Sequence, residues 1–173
     1  MSNDMVSVVF INNTCSGYAR RDNRVEELLE RWFGTPVADG VVLNMLEIAY
    51  LLLQKRVRVV MGDKVIDSLD DLVKEKHECL EKFFWPMLAV YKDLRDRGRR
   101  VRVLGDMRLI VKDKTGDLKL VIVLEEKMMI SPDLLINLVS EAMKNNLSII
   151  LAIVSLQGDL TYYEINSIVP LVT

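Results

Sequence analysis

The stretch "YKDLRDRGRRVRV", Tyr91 to Val103, decides how this chain is read. Six of its thirteen residues are Lys or Arg, in a chain of formal net charge −2. In its first half Lys92 precedes Asp96, and Asp93 precedes Arg97, by one helical turn, so these charges pair along a solvated helix face. Gly98 stands where a left-handed cap would close that helix. After it the pattern alternates, which predicts a strand with Arg100 and Arg102 on one side. Helix, cap and strand thus follow one another without a spacer. Most of the motif is read as architecture, with Asp93 and Arg95 tying the helix to its neighbours. Arg100 and Arg102 remain candidates for phosphate contact or for contact with another subunit.

Toward the N-terminus helices dominate. "VSVVFIN" (Val6 to Asn12) is β-branched and predicts a buried strand, and "TCSGY" a turn. "NRVEELLERWF" carries Val25, Leu28, Leu29 and Trp32 at helical spacing. "GTPVADG" breaks it, and "VVLNMLEIAYLLLQKR" predicts a second helix, apolar on nearly all sides and therefore buried. "VRVV" predicts a short strand and "MGDKVI" a turn. Ser68 stands as N-cap of a third helix, with Asp71 three residues on. Pro86 interrupts the helical pattern and predicts a break near Phe83 to Pro86.

Beyond Gly98 strands dominate: "RRVRVLG", "MRLIVKD", "LKLVIVL", "SIILAIV", "DLTYYEI" and "SIVPLV". One helix interrupts them, "SPDLLINLVSEAMKNN", capped by Ser131 with Pro132 at its first position. Leu134, Leu135, Leu138, Val139, Ala142 and Met143 form a stripe that predicts core. The expected architecture is two α/β units, residues 1–80 and 81–173.

Composition narrows the chemistry. Half of the residues are hydrophobic, no apolar run is long enough for a membrane span, and the start lacks the pattern of a signal peptide. A cytoplasmic protein is expected. Cys15 and Cys79 are few and far apart in sequence, which fits a reducing compartment better than a disulfide scaffold. His77 is the one histidine, so a two-histidine metal site cannot form within one chain. It reads as a surface or domain-seam residue. A pI near 5.5 gives no global footprint for nucleic acid, though a local basic patch suffices for one.

Three segments, "WFGTPVADGVVLNMLEIAYLLLQKRVRV", "VYKDLRDRGRRVRV" and "LAIVSLQGDLTYYEINSIVP", together resemble the archaeal tRNA-intron splicing endonucleases over nearly the whole chain. The resemblance implies an α/β N-terminal domain and a mixed-sheet C-terminal domain of the restriction-endonuclease-like type. It also implies cleavage of pre-tRNA at a bulge-helix-bulge without a metal or other cofactor. The family uses a Tyr, a His and a Lys. The chemistry needs a proton removed from a 2′-hydroxyl, one given to a 5′-oxygen, and a cation beside the crowded phosphate. By position, Ile110 stands where the Tyr belongs, Gly116 where the His belongs, and Leu147 or Ser148 where the Lys belongs. Losing one general acid–base group costs about 10²- to 10⁴-fold. The resemblance therefore implies a non-catalytic, structural subunit of an α2β2 enzyme whose partner chain carries the chemistry.

Further roles follow from that resemblance. The last strand, with Ile165, Ile168, Val169 and Leu171, is expected to pair with a neighbouring subunit rather than remain an open edge. The loop "SLQGDL", with Gln157, Gly158 and Asp159, is expected to dock into an opposing subunit. It holds one acid where the family has a richly acidic loop, and it also reads as a plain hairpin turn. Two other readings stand. Asp106, Glu125 and Lys127 fit the outline of a Mg²⁺-dependent nuclease, two carboxylates for the ion and a Lys for the phosphate. The chain also fits a scaffold unrelated to splicing.

Overall fold

A computed structural model describes residues 5–165. The chain divides into two compact units, Met1–Leu88 and Ala89–Thr173. The division falls inside a helix, Phe84–Asp96, whereas the sequence places the boundary after residue 80.

The first unit is a six-stranded mixed sheet with helices. Its elements are β1 (Val6–Ile11), β2 (Ser16–Arg20), α1 (Asn23–Glu30), β3 (Thr35–Val37), β4 (Gly40–Asn44), α2 (Met45–Leu53), β5 (Val57–Met61), β6 (Lys64–Ile66) and α3 (Leu69–Glu75). The strand order is β3-β4-β2-β1-β5-β6, with β1 and β5 parallel and the other neighbours antiparallel. Strand β1 is buried on one face only: Val6, Val8 and Phe10 point inward, while Ser7, Val9 and Ile11 are exposed. The buried strand expected from its β-branched residues is thus buried at alternate positions.

Two further expectations change here. "TCSGY" is not only a turn, because Ser16 to Tyr18 already belong to β2. Val41 to Asn44 are strand, not helix. Asn44 is the N-cap of α2: its side chain accepts from the Glu47 N–H at 2.9 Å, and Glu47 accepts from the Asn44 N–H at 3.0 Å. A helix cannot begin before its own cap, and β-branched Val41 and Val42 suit the pleated sheet. Glu47 is 4% exposed and also accepts from the Gly34 N–H at 2.8 Å, so its buried carboxylate is satisfied by backbone donors. Residues Met45 to Leu52 of α2 are all buried, as its all-round apolar character predicts. Gly17 lets α2 lie close to the sheet, since a β-carbon there would fall 2.3 Å from Val8 and 2.9 Å from Ile48. Ser68 caps α3 as expected, accepting from the Asp71 N–H at 3.2 Å.

The two cysteines form a disulfide, Cys15 to Cys79, with Cα atoms 5.5 Å apart. This overturns the expectation of two separate thiols. Their separation of 64 residues in sequence says nothing about distance in space. The β1–β2 turn and the 3-10 turn at His77–Cys79 meet.

The second unit holds most of α4 (Phe84–Asp96), then β7 (Arg100–Gly105), β8 (Arg108–Lys112), β9 (Leu118–Glu125), α5 (Pro132–Lys144), β10 (Ser148–Val154) and β11 (Leu160–Ile165). Pro86 sits in the first turn of α4, where its missing N–H costs nothing. The sheet order is β11-β10-β9-β8-β7. Only β9 and β10 are parallel among these described strands, and α5 makes the crossover that a parallel pair requires.

Helix α5 covers one face of this sheet, over Leu120, Ile122, Leu124 and Ile149. Its apolar stripe is only partly core. At 100° per residue Leu135, Leu138, Val139 and Ala142 share an arc of about 100°. Leu138, Val139 and Ala142 pack on the cluster, while Leu134 and Met143 flank the arc and are 51% and 55% exposed. The opposite face carries buried Val101, Val111, Val121, Val123 and Ala152.

Candidate functional site

The basic stretch resolves into two parts. In α4, Tyr91 is fully buried and Arg95 is 4% exposed. The Arg95 guanidinium donates to the Val101 carbonyl at 2.7 Å and to the Tyr91 hydroxyl at 2.9 Å, and lies over the Tyr91 ring at 5.1 Å. It thereby fixes β7 to the helix across the Gly98 cap, whose φ of 79° favours glycine. Asp93 accepts from the Tyr162 hydroxyl at 2.6 Å and pairs with Arg97 at 3.0 Å, and the Arg97 guanidinium lies over the Tyr162 ring at 5.6 Å. Burial, with the hydrogen bond to Asp93 next, pushes the Tyr162 hydroxyl well above the ordinary tyrosine range. Lys92 pairs with Asp96 on the outer face. The helical half of the motif therefore joins α4 to β7 and β11.

The other half is exposed. Arg100 and Arg102 lie on β7, the edge strand of the sheet. Arg100 stands opposite Lys112 and Arg102 opposite Ile110. Arg108 follows on the same side of β8, two residues before Ile110. Lys112 and Arg108 escaped the sequence reading. The alternation of "RLIVK" was visible, but the register that sets it against β7 was not.

The three positions that the resemblance assigns to catalysis can now be placed. Ile110 begins an apolar row that crosses the sheet through Leu120, Ile149 and Ile165. Both Ile110 and Leu147 pack, partly buried, against the cluster beneath α5. Ser148 lies on the other face, opposite Lys119, which pairs with Glu164 at 3.2 Å. Gly116 sits in the β8–β9 turn with φ 98°, where any side chain is strained. Asp113 holds this turn. Its carboxylate accepts from Thr115, Gly116 and Asp117, and the Thr115 hydroxyl leads the contacts that lower its pKa. A β-carbon at Gly116 would lie 3.8 Å from Cε of Lys112. The structure thus brings Ile110 and Leu147 into one apolar cluster, and sets a lysine beside Gly116. His77 belongs to the first unit, and its side chain is 80% exposed.

Asp106, Glu125 and Lys127, the alternative metal set, lie at strand ends and turns. Asp106 is 91% exposed in the β7–β8 turn and pairs with Arg108 at 3.5 Å. Glu125 ends β9, and Lys127 follows it in a turn. Among the described residues no three His, Cys, Asp or Glu side chains converge as ion ligands.

The loop with Gln157, Gly158 and Asp159 is tightly built. Ser155 Oγ accepts from the Gln157 and Asp159 N–H groups at 3.2 and 3.0 Å, and Gly158 takes φ 89°. Glu126 accepts from the Leu156 N–H at 3.2 Å, holding the loop to the turn after β9 and leaving the Leu156 side chain 73% exposed. Ile165 ends β11 and packs partly buried on the α5 cluster. Ile168, Val169 and Leu171 lie outside the described residues.

The chain is thus two α/β units, the second a mixed sheet between α4 and α5 in which Gly98 joins α4 directly to β7. Two family models match it in order: "tRNA intron endonuclease, N-terminal domain" over residues 13–73 and "tRNA intron endonuclease, catalytic C-terminal domain" over residues 84–162. A tRNA-splicing endonuclease of Pyrococcus horikoshii is 32% identical over 153 residues, covering 86% of this chain and 89% of that protein. One of Pyrococcus furiosus is 28% identical over 155 residues, with the same coverage of each. One of Methanosarcina mazei is 31% identical over 144 residues, 80% of this chain but 40% of that longer protein. The chain belongs to the tRNA intron endonuclease family.

Proposed function

We propose that this chain is the non-catalytic, structural subunit of an α2β2 tRNA-splicing endonuclease, a cytoplasmic assembly that cuts pre-tRNA at a bulge-helix-bulge. The reading is carried by what fills the family's catalytic positions. Ile110 and Leu147 are apolar and packed against the α5 cluster. They can neither move a proton nor stabilise charge. Ser148, the other candidate for the Lys position, carries no charge. The single histidine is in the first unit, so the second unit has none to contribute. Removal of one acid–base group already costs about 10²- to 10⁴-fold, and a site lacking all three retains only positioning.

In this reading the chain supplies folded surface. The 155–159 loop, with Gln157, Gly158 and Asp159, and the segment from Ile165 onward meet the catalytic chain. The exposed Leu156 gives the loop an apolar tip where relatives of the resemblance carry acids. Arg100 and Arg102 face the RNA or the partner.

The test is cleavage of a bulge-helix-bulge RNA by the chain alone in EDTA, alone with Mg²⁺, and with a catalytic subunit from the same organism. Cutting that requires the partner is the expected result. Cutting by the chain alone in EDTA would refute the assignment of the vacant positions. Cutting alone only with Mg²⁺ would return the reaction to Asp106, Glu125 and Lys127.

A further inference from the structure

Strand pairing gathers more positive charge around the vacant positions than the sequence disclosed. Arg100 and Lys112 are direct cross-strand partners, and Arg102 faces Ile110. Arg108 and Lys112 bracket Ile110 on its own strand. All four basic residues therefore lie on the sheet face that holds Ile110. Arg100 and Arg102 are exposed, and Arg108 and Lys112 are half-buried. Arg108 pairs with Asp106, itself 91% exposed, at 3.5 Å.

Like charges set directly opposite on a sheet are destabilising, and Arg100 faces Lys112 across β7 and β8. Charge on an edge strand also guards against aggregation. The placement of Lys112 points further. Its Cε lies 3.8 Å from where a β-carbon at Gly116 would stand, so it fills the space beside one vacated catalytic position while Ile110 fills another.

We propose that the β7–β8 face bearing Arg100, Arg102, Arg108 and Lys112 is a phosphate-binding surface that holds the RNA backbone without cutting it. The identity of the anion as RNA rests on the family reading above. Guanidinium groups take phosphate oxygens in forked pairs, and contacts of this kind position a nucleic acid without reading its sequence. The vacated site thus becomes a clamp: proton-transfer groups are gone, cations remain.

The experiment measures binding of the full-length chain to a fluorescent bulge-helix-bulge RNA in EDTA, from 50 to 200 mM KCl. Arg100→Gln/Arg102→Gln is compared with Lys64→Gln/Lys74→Gln, which makes the same charge change on exposed lysines of the first unit. Each lost phosphate contact should reduce the log–log salt slope by about 0.7–0.9. The arginine pair should therefore flatten it by roughly 1.4–1.8, a difference on the order of tenfold in affinity across that salt range. The lysine pair should leave the slope unchanged, and Arg100→Lys/Arg102→Lys should keep most of it. Equal slopes for both glutamine pairs would overturn the proposal, as would aggregation of the arginine variant with a wild-type slope in its soluble fraction, which would leave edge protection as the role. Unchanged RNA binding with weakened association to a catalytic subunit would make the face a protein interface instead. Failure of the subunit reading appears separately, as cleavage of the same RNA by the chain alone.

Discussion

Reduction of the Cys15–Cys79 disulfide should lower the stability of the first unit by an amount that can be worked from its position. The bond spans 64 residues and so closes a loop holding β2 through α3. In the chain-entropy account such a closure removes about 14–15 cal/mol/K from the unfolded ensemble, or roughly 4 kcal/mol at 25 °C. For a unit of this size each kcal/mol moves the melting temperature by about 4–8 °C, and for the whole chain unfolding together by about 2–4 °C. A fall of at least about 8 °C is therefore expected. The assay is thermal unfolding followed by circular dichroism, with and without a phosphine reductant, alongside Cys15→Ser/Cys79→Ala. Cys79 is 8% exposed, so alanine avoids burying a new hydroxyl. The variant and the reduced wild type should melt together, because both lack only the cross-link. A thiol assay in denaturant should find no free thiol in oxidised protein and two after reduction. A melting temperature that moves by under about 2 °C on reduction would refute the argument. Two free thiols in protein never exposed to reductant would do so as well.

Other outcomes follow from named contacts. Arg95→Ala should cost about 2–3 kcal/mol in urea unfolding, because it strands the Val101 carbonyl and empties space against buried Tyr91. Arg95→Lys should recover little, since one ammonium cannot reproduce the flat group over the ring. Glu47→Ala should cost about 1–3 kcal/mol, leaving the Gly34 and Asn44 N–H groups without their acceptor. The raised pKa of Tyr162 means its proton is held more tightly in the folded state than the unfolded one. That contribution is complete below the ordinary tyrosine value of 10.0 and is lost as pH rises above it toward the folded value. Unfolding curves should therefore show stability falling above about pH 10, and less steeply in Tyr162→Phe. The same variant should cost about 1 kcal/mol at pH 7 by removing the bond to Asp93. A pH profile identical in wild type and variant would place the alkaline loss elsewhere.

Local chemistry made much of this chain legible without coordinates. Ser68, Ser131 and Gly98 marked helix ends because caps act over one turn, and each sits at the end it predicted. The five described strands after Gly98 were readable from alternation and β-branching, while "SIVPLV" lies outside the described residues. The proposal of a non-catalytic role rests on the residues that the resemblance aligns with the catalytic positions, Ile110, Gly116 and Leu147 or Ser148. Errors clustered where local signals compete. The run Val41 to Asn44 is apolar enough to extend a buried helix backwards, and only its hydrogen bonding to β2 and β3 made it a strand. The α5 stripe looked like continuous core, but a helix lying on a sheet buries one arc, so Leu134 and Met143 were left outside it. Three matters belonged to the tertiary structure alone. The disulfide needed two turns 64 residues apart to meet. The Tyr162–Asp93 bond needed β11 to lie beneath α4. The basic face needed the register of β7 on β8, which sets Arg100 against Lys112. Sequence fixes what a residue prefers within a turn or a pleat; which distant residue it meets is decided by how the sheets pair and what the helices cover.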